Sequence, residues 1–416
     1  MLHIHFGTGR LGLGLVAPFL QTPNSELFLM NRATSGKNAT GSTSLHPSRR
    51  NELLKNNPRQ HYMVDTPGVT PGRDGKEPRE SVRYDAFYPF EEQGVARTVR
   101  DILASSEKKA RGVVVTASVL AAKNYAPVIE ALNVICSAKE SERSTIGDVY
   151  MIACENTVSA QEVLHHKDFA ARIQKETRRH ARCVQTLVDR VCVGMEECAF
   201  QGEPAVLVQA EEYGSLKFEL CQDTENLPEL LSGSRAEFSR HLDIEKEIKS
   251  WLLNGSHWLI ALTAFQETGG NVNLKLNEFI TGTENHELYA SEVVNEMRDG
   301  VEFLLRSDPH YAKFAEEVDV TAYLDGAASS ILERFKCNED TMTRILARFR
   351  APTRDEVTSV QSFVDRFLHR IEPPLLAYQA QKGTPAKSAT QGIFNLFRLQ
   401  ASGTYVDTVN SHKHAA

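Results

Sequence analysis

Apolar residues in the first half of the chain gather in short runs at 2–6, 27–30, 61–64, 113–117 and 149–154, bounded by turn or polar residues. Runs of that length, often β-branched, predict buried strands. Between several of them, 11–20 and 121–134 place apolar residues at three- and four-residue intervals, the spacing of a helix with one buried face. Such alternation predicts a parallel sheet with crossover helices. Three further runs, 187–193, 205–209 and 216–220, lie too close together for intervening helices. They are expected to add antiparallel strands to one edge of the sheet.

From about Gly233 the period becomes helical: 237–269, 287–306, 320–335, 355–371 and 391–399, punctuated by Asp308-Pro309, Ala351-Pro352 and Pro373-Pro374. Asp, Asn, Pro, Ser and Gly gather between Cys221 and Gly233. The expected domains are therefore 1–228, α/β, and 229–416, mainly α-helical. The stretch 33–83 follows neither period and reads as an irregular loop. From Asn31 to Gln60 the chain holds six basic residues, Arg32, Lys37, Arg49, Arg50, Lys55 and Arg59, against one acid, Glu52. Two readings stand: a solvated loop, or a basic surface near a phosphate-bearing ligand.

Chemistry enters where the first strand ends. Gly7-Thr8-Gly9-Arg10-Leu11-Gly12 is a Gly-x-Gly-x-x-Gly sequence, with a strand running into it, a helix leaving it and a second strand following. That is the setting of a dinucleotide-binding, Rossmann-like fold. Gly7 would make the tight turn, Gly9 would let a pyrophosphate approach, and Gly12 would let helix and strand pack closely. The second strand ends at Asn31 and Arg32, without the acid that usually bonds the adenosine ribose. A missing negative charge and an adjacent arginine tilt the expectation towards NADP being accepted beside NAD.

The stretch 248–262 contains both tryptophans and is apolar almost all round, as a buried helix is. Lys249, Asn254 and His257 would then be buried polar groups on one side of it, which are costly unless bonded or used. On an α-helix they fall within an arc of about 140° and can border one cavity. Two other polar signals lie on strand runs: Cys154-Glu155-Asn156 at the end of the fifth, and Val188-Asp189-Arg190 within a later one.

Charge and composition narrow the classes. A net charge of −7 disfavours nucleic acid as a partner, and no apolar run is long enough to span a membrane. The first residues form a strand-like run with no basic leader, so a cytoplasmic protein without a secretory signal is expected. Seven cysteines, with no Cys-x-x-Cys pair, read as buried free thiols, and no metal site is expected.

Together these residues resemble the polyol-specific long-chain dehydrogenase/reductase family, which includes mannitol 2-dehydrogenase, mannitol-1-phosphate 5-dehydrogenase and the hexuronate reductases. His5-Phe6-Gly7-x-Gly9-x-x-Gly12, Cys154-Glu155-Asn156, Val188-Asp189-Arg190 and Lys249-x4-Asn254-x2-His257 carry the resemblance from the first strand to about Pro352. The last motif is the most specific. The His-Phe-Gly opening and the length look closer to the mannitol-1-phosphate branch. The resemblance implies a metal-independent hydride transfer between a nicotinamide dinucleotide and a polyol, polyol phosphate or keto sugar, at a site in the interdomain cleft. Lys249 would be the general acid/base, Asn156 and Asn254 oxyanion donors, His257 an orienting group, and Asp189 a modulator of the lysine. Cofactor contacts are expected at Gly7, Thr8, Gly9, Arg10, Leu11, Gly12, Asn31, Arg32, Thr116, Glu155 and Asn156, and a monomer is the default.

This sequence departs from the family at Asn31, in the segment 33–83, which looks like an insertion, and at Arg348-Phe349-Arg350-Ala351-Pro352 with Asp355, a faint echo of the family's Arg-Phe-x-Asn-Pro. Hexuronate reduction is an alternative within the family. A β-hydroxyacid dehydrogenase like 6-phosphogluconate dehydrogenase is a second alternative, against which the longer Lys249-to-Asn254 spacing speaks. A dinucleotide sensor without catalysis is a third, and it would have no use for a proton-transferring lysine.

Overall fold

The computed structural model describes residues 1–33, 45–66, 79–91, 94–141, 145–155, 158–271, 273–337, 340–342, 345 and 367–392. The chain forms two compact units, Met1–Leu242 and Asp243–Ala416. Most of the expected helices 391–399 and 355–371, the Arg348–Pro352 segment with Asp355, Lys37 and Asn156 lie outside the described residues.

Thirteen strands are described in the first unit: β1 (Leu2–Phe6), β2 (Glu26–Arg32), β3 (His61–Asp65), β4 (Arg79–Arg83), β5 (Ala86–Phe90), β6 (Gly112–Ala117), β7 (Asp148–Ala153), β8 (Ala181–Val184), β9 (Thr186–Asp189), β10 (Cys192–Phe200), β11 (Glu203–Ala210), β12 (Ser215–Glu219) and β13 (Glu237–Ser239). Six of them make an all-parallel sheet in the order β5-β2-β1-β6-β7-β8. Counted among its own strands, that order is 3-2-1-4-5-6, the doubly wound Rossmann arrangement, whose direction of winding reverses between β1 and β6.

Alternation along each strand sorts residues between two layers. Leu2, Ile4 and Phe6, with Val113, Val115, Val149 and Met151, face a core shared with Val99, Ile102, Val128 and Leu132 of the helices Val95–Ser105 and Ala126–Glu140. Val114, Tyr150 and Ile152 face the opposite layer, with Leu15, Val16 and Leu20 of the segment that follows the glycine turn.

Three sequence expectations change. The run 61–64 is a strand, but β3 belongs to a separate four-stranded sheet, β10-β11-β3-β4, with β3 parallel to β11 and antiparallel to β4. Its place beside β2 is taken by β5, whose Pro89 argues against a central strand but is tolerated at an edge, where one side of the backbone has no partner. The runs 187–193, 205–209 and 216–220 are strands too, yet none extends the parallel sheet. That edge is filled by the parallel β8, while β9 and β12 join β13 in a three-stranded sheet and β10 and β11 pair in the four-stranded one. The stretch 33–83 is not irregular throughout. Pro47–Asn56 is a helix with proline in its first turn and His46 as its N-cap, and Leu53 and Leu54 pack with Leu13, Ala17, Tyr62 and Val208.

Among the described residues the second unit is mainly helical. Its core is built on one continuous helical run, Leu242–Ile248, Lys249–Gly255 and Ser256–Glu267, within which Trp258, Leu259, Ile260 and Phe265 are buried. Glu284–Ser307 and Val320–Cys337 pack around it, together with Glu372–Lys382. No described helix is long and apolar enough to cross a membrane. None of the seven cysteines is bonded to another. Cys136, Cys154 and Cys192 are buried as expected, but Cys221 and Cys337 lie at the surface.

Glycine 300 sets how closely the helices Glu284–Ser307 and Glu372–Lys382 approach. A Cβ there would lie 2.0 Å from the Pro374 carbonyl oxygen, which is backbone and cannot rotate away. Gly300→Ala is expected to lower unfolding stability by about 1–3 kcal/mol, the usual cost of overpacking. A urea midpoint unchanged from wild type would show that the two helices part freely.

Candidate active site

The first strand delivers its chain end to the point where the sheet's winding reverses, the place where doubly wound folds bind ligands. Gly7 adopts φ +100°, and a Cβ on it would lie 2.4 Å from the Ser118 carbonyl oxygen, so the turn admits only glycine. At Gly12 a Cβ would meet the Gly7 oxygen at 2.3 Å and His5 Nε2 at 2.4 Å. At Gly9 nothing lies within 4 Å of that position. The first and third glycines therefore serve close packing, while the second leaves the turn open on the side a ligand would approach. Thr8 is fully buried, and its hydroxyl has no hydrogen-bond partner among the described residues. The cradle thus fits the pyrophosphate expected from the sequence, with open space at Gly9.

Beneath the turn lies a chain of hydrogen bonds that the sequence reading missed. His3 Nε2 and His5 Nδ1 are each 2.7 Å from Thr116 Oγ1, and His5 Nε2 is 2.8 Å from the Gly7 carbonyl oxygen. A carbonyl only accepts, so His5 Nε2 carries the proton and Nδ1 accepts from the Thr116 hydroxyl, which in turn accepts from His3. Both rings are neutral in this order. Burial holds His5 down to about 4 and His3 well below its ordinary value. Ser118 Oγ donates to the same Gly7 oxygen at 3.1 Å. Thr116, expected at the cofactor, is fully buried and supports the turn from below. The available signal was the alternation of two histidines in an otherwise apolar strand.

Glu155 follows β7. Its carboxylate accepts from the Leu120 amide at 2.5 Å, and burial raises its pKa. It thereby pins the loop after β6, where Leu120 sits at φ +75° with its side chain 77% exposed. Asn31, half-buried near the end of β2, donates to Asn51 Oδ1 at 2.9 Å, and Asn51 Nδ2 donates to the Arg32 carbonyl at the same distance. Arg32 itself is exposed, and Arg10 donates to the Val193 carbonyl oxygen at 2.7 Å. Asp189 ends β9. Its neighbour Arg190 donates to the Gly14 carbonyl at 2.5 Å and stacks over Phe19, so this corner is tied to the segment after the glycine turn.

In the second unit, Lys249 and Asn254 are half-buried and His257 is buried. The segment Lys249–Gly255 is a π-helical turn, not the α-helix assumed from the sequence. Hydrogen bonding from i to i+5 carries Asn254 about one turn above Lys249, nearer to alignment than on an α-helix. His257 stacks on Phe335 at 4.9 Å, and its Nε2 lies 4.0 Å from Asp340 Oδ2, a carboxylate almost fully buried. Asp340 lies beyond the helical signature that drew attention to this region, and nothing in its sequence setting singled it out.

The fold is similar to that of mannitol 2-dehydrogenase from Pseudomonas fluorescens, solved as a ternary complex with NAD and D-mannitol. The TM-score is 0.54 at 15% identity, over 94% of this chain and 77% of that one. It is also similar to a D-sorbitol dehydrogenase in substrate-free form, with a TM-score of 0.51 at 12% identity, over 98% of this chain and 94% of that one. A ketopantoate reductase from Ralstonia eutropha is more distant, with a TM-score of 0.42 at 14% identity over 99% of this chain and 100% of that one. No family model and no curated protein sequence matches the chain.

The neutral histidines make stability depend on pH. In the unfolded chain His5 titrates near its ordinary value of about 6.5, while in the fold it stays neutral down to about 4. Its contribution is therefore complete above pH 6.5 and declines as the pH falls towards 4, by about 3 kcal/mol in all. Urea unfolding at pH 7 and pH 4.5 should show a larger loss in wild type than in His5→Asn. Equal losses would remove His5 from the acid response.

Proposed function

We propose that this protein is an NAD(P)-dependent oxidoreductase interconverting a secondary alcohol and its ketone on a polyol, a polyol phosphate such as mannitol 1-phosphate, or a hexuronate. The observation that carries the reading is the π-helical turn that brings Asn254 nearer to alignment with Lys249 than an α-helix would, in a chain whose other unit holds a glycine-lined turn at the reversal of a parallel sheet. The likeness of fold to a mannitol dehydrogenase and a sorbitol dehydrogenase supports it.

A bound nicotinamide supplies the hydride acceptor or donor. This chain's residues supply the rest. Hydride can leave a carbinol carbon only as the hydroxyl proton is removed, and Lys249 Nζ is the proposed base for that proton. In reduction it returns the proton to the carbonyl oxygen. The amides of Asn254 and Asn156 donate to that oxygen and stabilise the alkoxide character that develops on it. His257, held flat against Phe335, orients the substrate and the lysine, and Asp189 modulates the lysine's proton transfer. Gly7, Gly9 and Gly12 receive the pyrophosphate, Asn31 and Arg32 the adenosine ribose, and the loop pinned by Glu155 lies at the same end of the sheet. Because β2 ends in Asn31 and Arg32 and not in an acid, NADP is accepted beside NAD.

Absorbance at 340 nm, read with polyols, polyol phosphates and uronates against both cofactors, tests the activity. A purified, folded protein that turns over none of them would end this reading. Within an active enzyme, Lys249→Ala should keep cofactor affinity near wild type and lower kcat by roughly 10²-fold or more, with partial rescue by small amines. Wild-type turnover in the folded variant would take the proton transfer away from Lys249. Asn254→Ala should lower kcat by roughly 10²–10³ and move KM less, as loss of an oxyanion donor does. A change confined to KM would make Asn254 a ground-state contact only.

A further inference from the structure

The basic segment after β2 contains two neighbouring arginines with opposite surroundings. Arg49 pairs with Glu197 at 2.7 Å and with Glu52 at 2.9 Å. Arg50, one residue on, has no carboxylate among the described residues. Among the described residues its Nε is buried without a hydrogen-bond partner, and its Nη1 meets the Met195 sulfur at 4.0 Å. Burial alone pulls its guanidinium down to about 10. A partly desolvated cation with unused donors is costly in the ligand-free protein unless something anionic comes to it.

Its position says which anion. Asn51, the next residue, is bonded both to the Asn31 side chain and to the Arg32 carbonyl, so the helix Pro47–Asn56 is fastened to the end of β2. Met195, against which Arg50 lies, is two residues along β10 from Val193, whose carbonyl holds Arg10 of the glycine turn. Two residues along a strand span about 6.6 Å. Three arginines from three separate segments therefore gather around the ends of β1 and β2. In a doubly wound fold that is the place of the adenosine ribose, not of the nicotinamide or the substrate. A guanidinium offers forked donors that match the oxygens of a phosphate monoester.

We infer that Arg50, with Arg32 and Arg10 beside it, forms a subsite for a phosphate monoester on the adenosine ribose, the 2′-phosphate of NADP. The inference rests on the dinucleotide reading above and adds to it the residue that sets cofactor choice.

Calorimetric titration of the full-length protein with AMP and with adenosine 2′,5′-bisphosphate tests it without relying on turnover. Wild type should bind the bisphosphate more tightly than AMP. Arg50→Ala should weaken the bisphosphate by roughly 10- to 100-fold and leave AMP almost unchanged. Arg50→Lys should keep part of the preference, and Arg49→Ala all of it. Circular dichroism and thermal midpoints establish that each variant is folded, and the wild-type preference is readable whatever the variants do. A bisphosphate bound no more tightly than AMP, or a preference that survives Arg50→Ala, overturns the subsite and leaves the dinucleotide reading standing. Binding of neither nucleotide overturns that reading and this inference with it. Displacement of the bisphosphate by sorbitol 6-phosphate, dependent on Arg50, would assign the cation to a substrate phosphate and overturn its assignment to the cofactor.

Discussion

The approach of backbone to backbone at Gly7 and Gly12 is the constraint on which the rest of the first unit depends. The chain leaves β1, turns at φ +100° and comes back so close that a single methyl group at Gly12 would strike the Gly7 oxygen. That oxygen is also where His5 and Ser118 converge, one from the strand before the turn and one from the loop after β6. Two segments more than a hundred residues apart are thus tied at one carbonyl. Both histidines must stay neutral for the proton order to close, and the layer they occupy is dry enough to keep them so. His3, His5, Thr116 and Ser118 support the turn from beneath and leave its open side at Gly9.

Two of the segments that carry candidate chemistry share a second feature. Gly12–Val16 and Lys249–Gly255 are both π-helical turns within longer helical runs. Such turns give up part of the α-helix's hydrogen-bond geometry and tend to persist where the displaced side chains are used. In the first segment the widened turn lies where Gly14 meets the Cys192 sulfur and where its own carbonyl accepts from Arg190. In the second it lifts Asn254 above Lys249, while Gly255 lets the helix approach the Arg370 carbonyl, 2.9 Å from where a Cβ would sit. Trp251 donates to the His369 carbonyl on the same side. The signature residues are therefore held by packing on their own helix rather than by propensity.

The four-stranded sheet shows how a segment without local periodicity acquires structure. β3 pairs with β11, and the helix Pro47–Asn56 lies against the same core through Leu53 and Leu54. β3 was legible as a strand, but its partner β11 lies far away in the chain, so the pairing could not be read from its neighbours. This sheet also sets the electrostatics of the basic segment. Glu197 on β10 neutralises Arg49, while Arg50, against Met195 on the same strand, has no counter-charge among the described residues.

Much of the candidate site was legible because its residues are local in sequence. A strand, three glycines at fixed spacing and a helix must form that turn, since only glycine fits two of its positions. A lysine, an asparagine and a histidine on an otherwise apolar helix stand out as candidates, since burying them is costly. The five strands read from apolar runs all exist, and so do the helices 287–306 and 320–335, because unbroken hydrophobicity and a 3.6-residue period reflect burial directly. What tertiary structure alone decided was partnership. Which sheet β3 joins, that β5 can carry a proline at an edge, that Thr116 serves two histidines and that Asp340 stands near His257 all depend on groups far apart in the chain. The π geometry at Lys249 belongs to the same class, since the packing of the second unit and not a residue's own preference chose i to i+5. Sequence patterns record how much of a residue is buried and how often. They do not record against what, and in this protein the counter-charges, the proton order and the register of the catalytic candidates were settled by that.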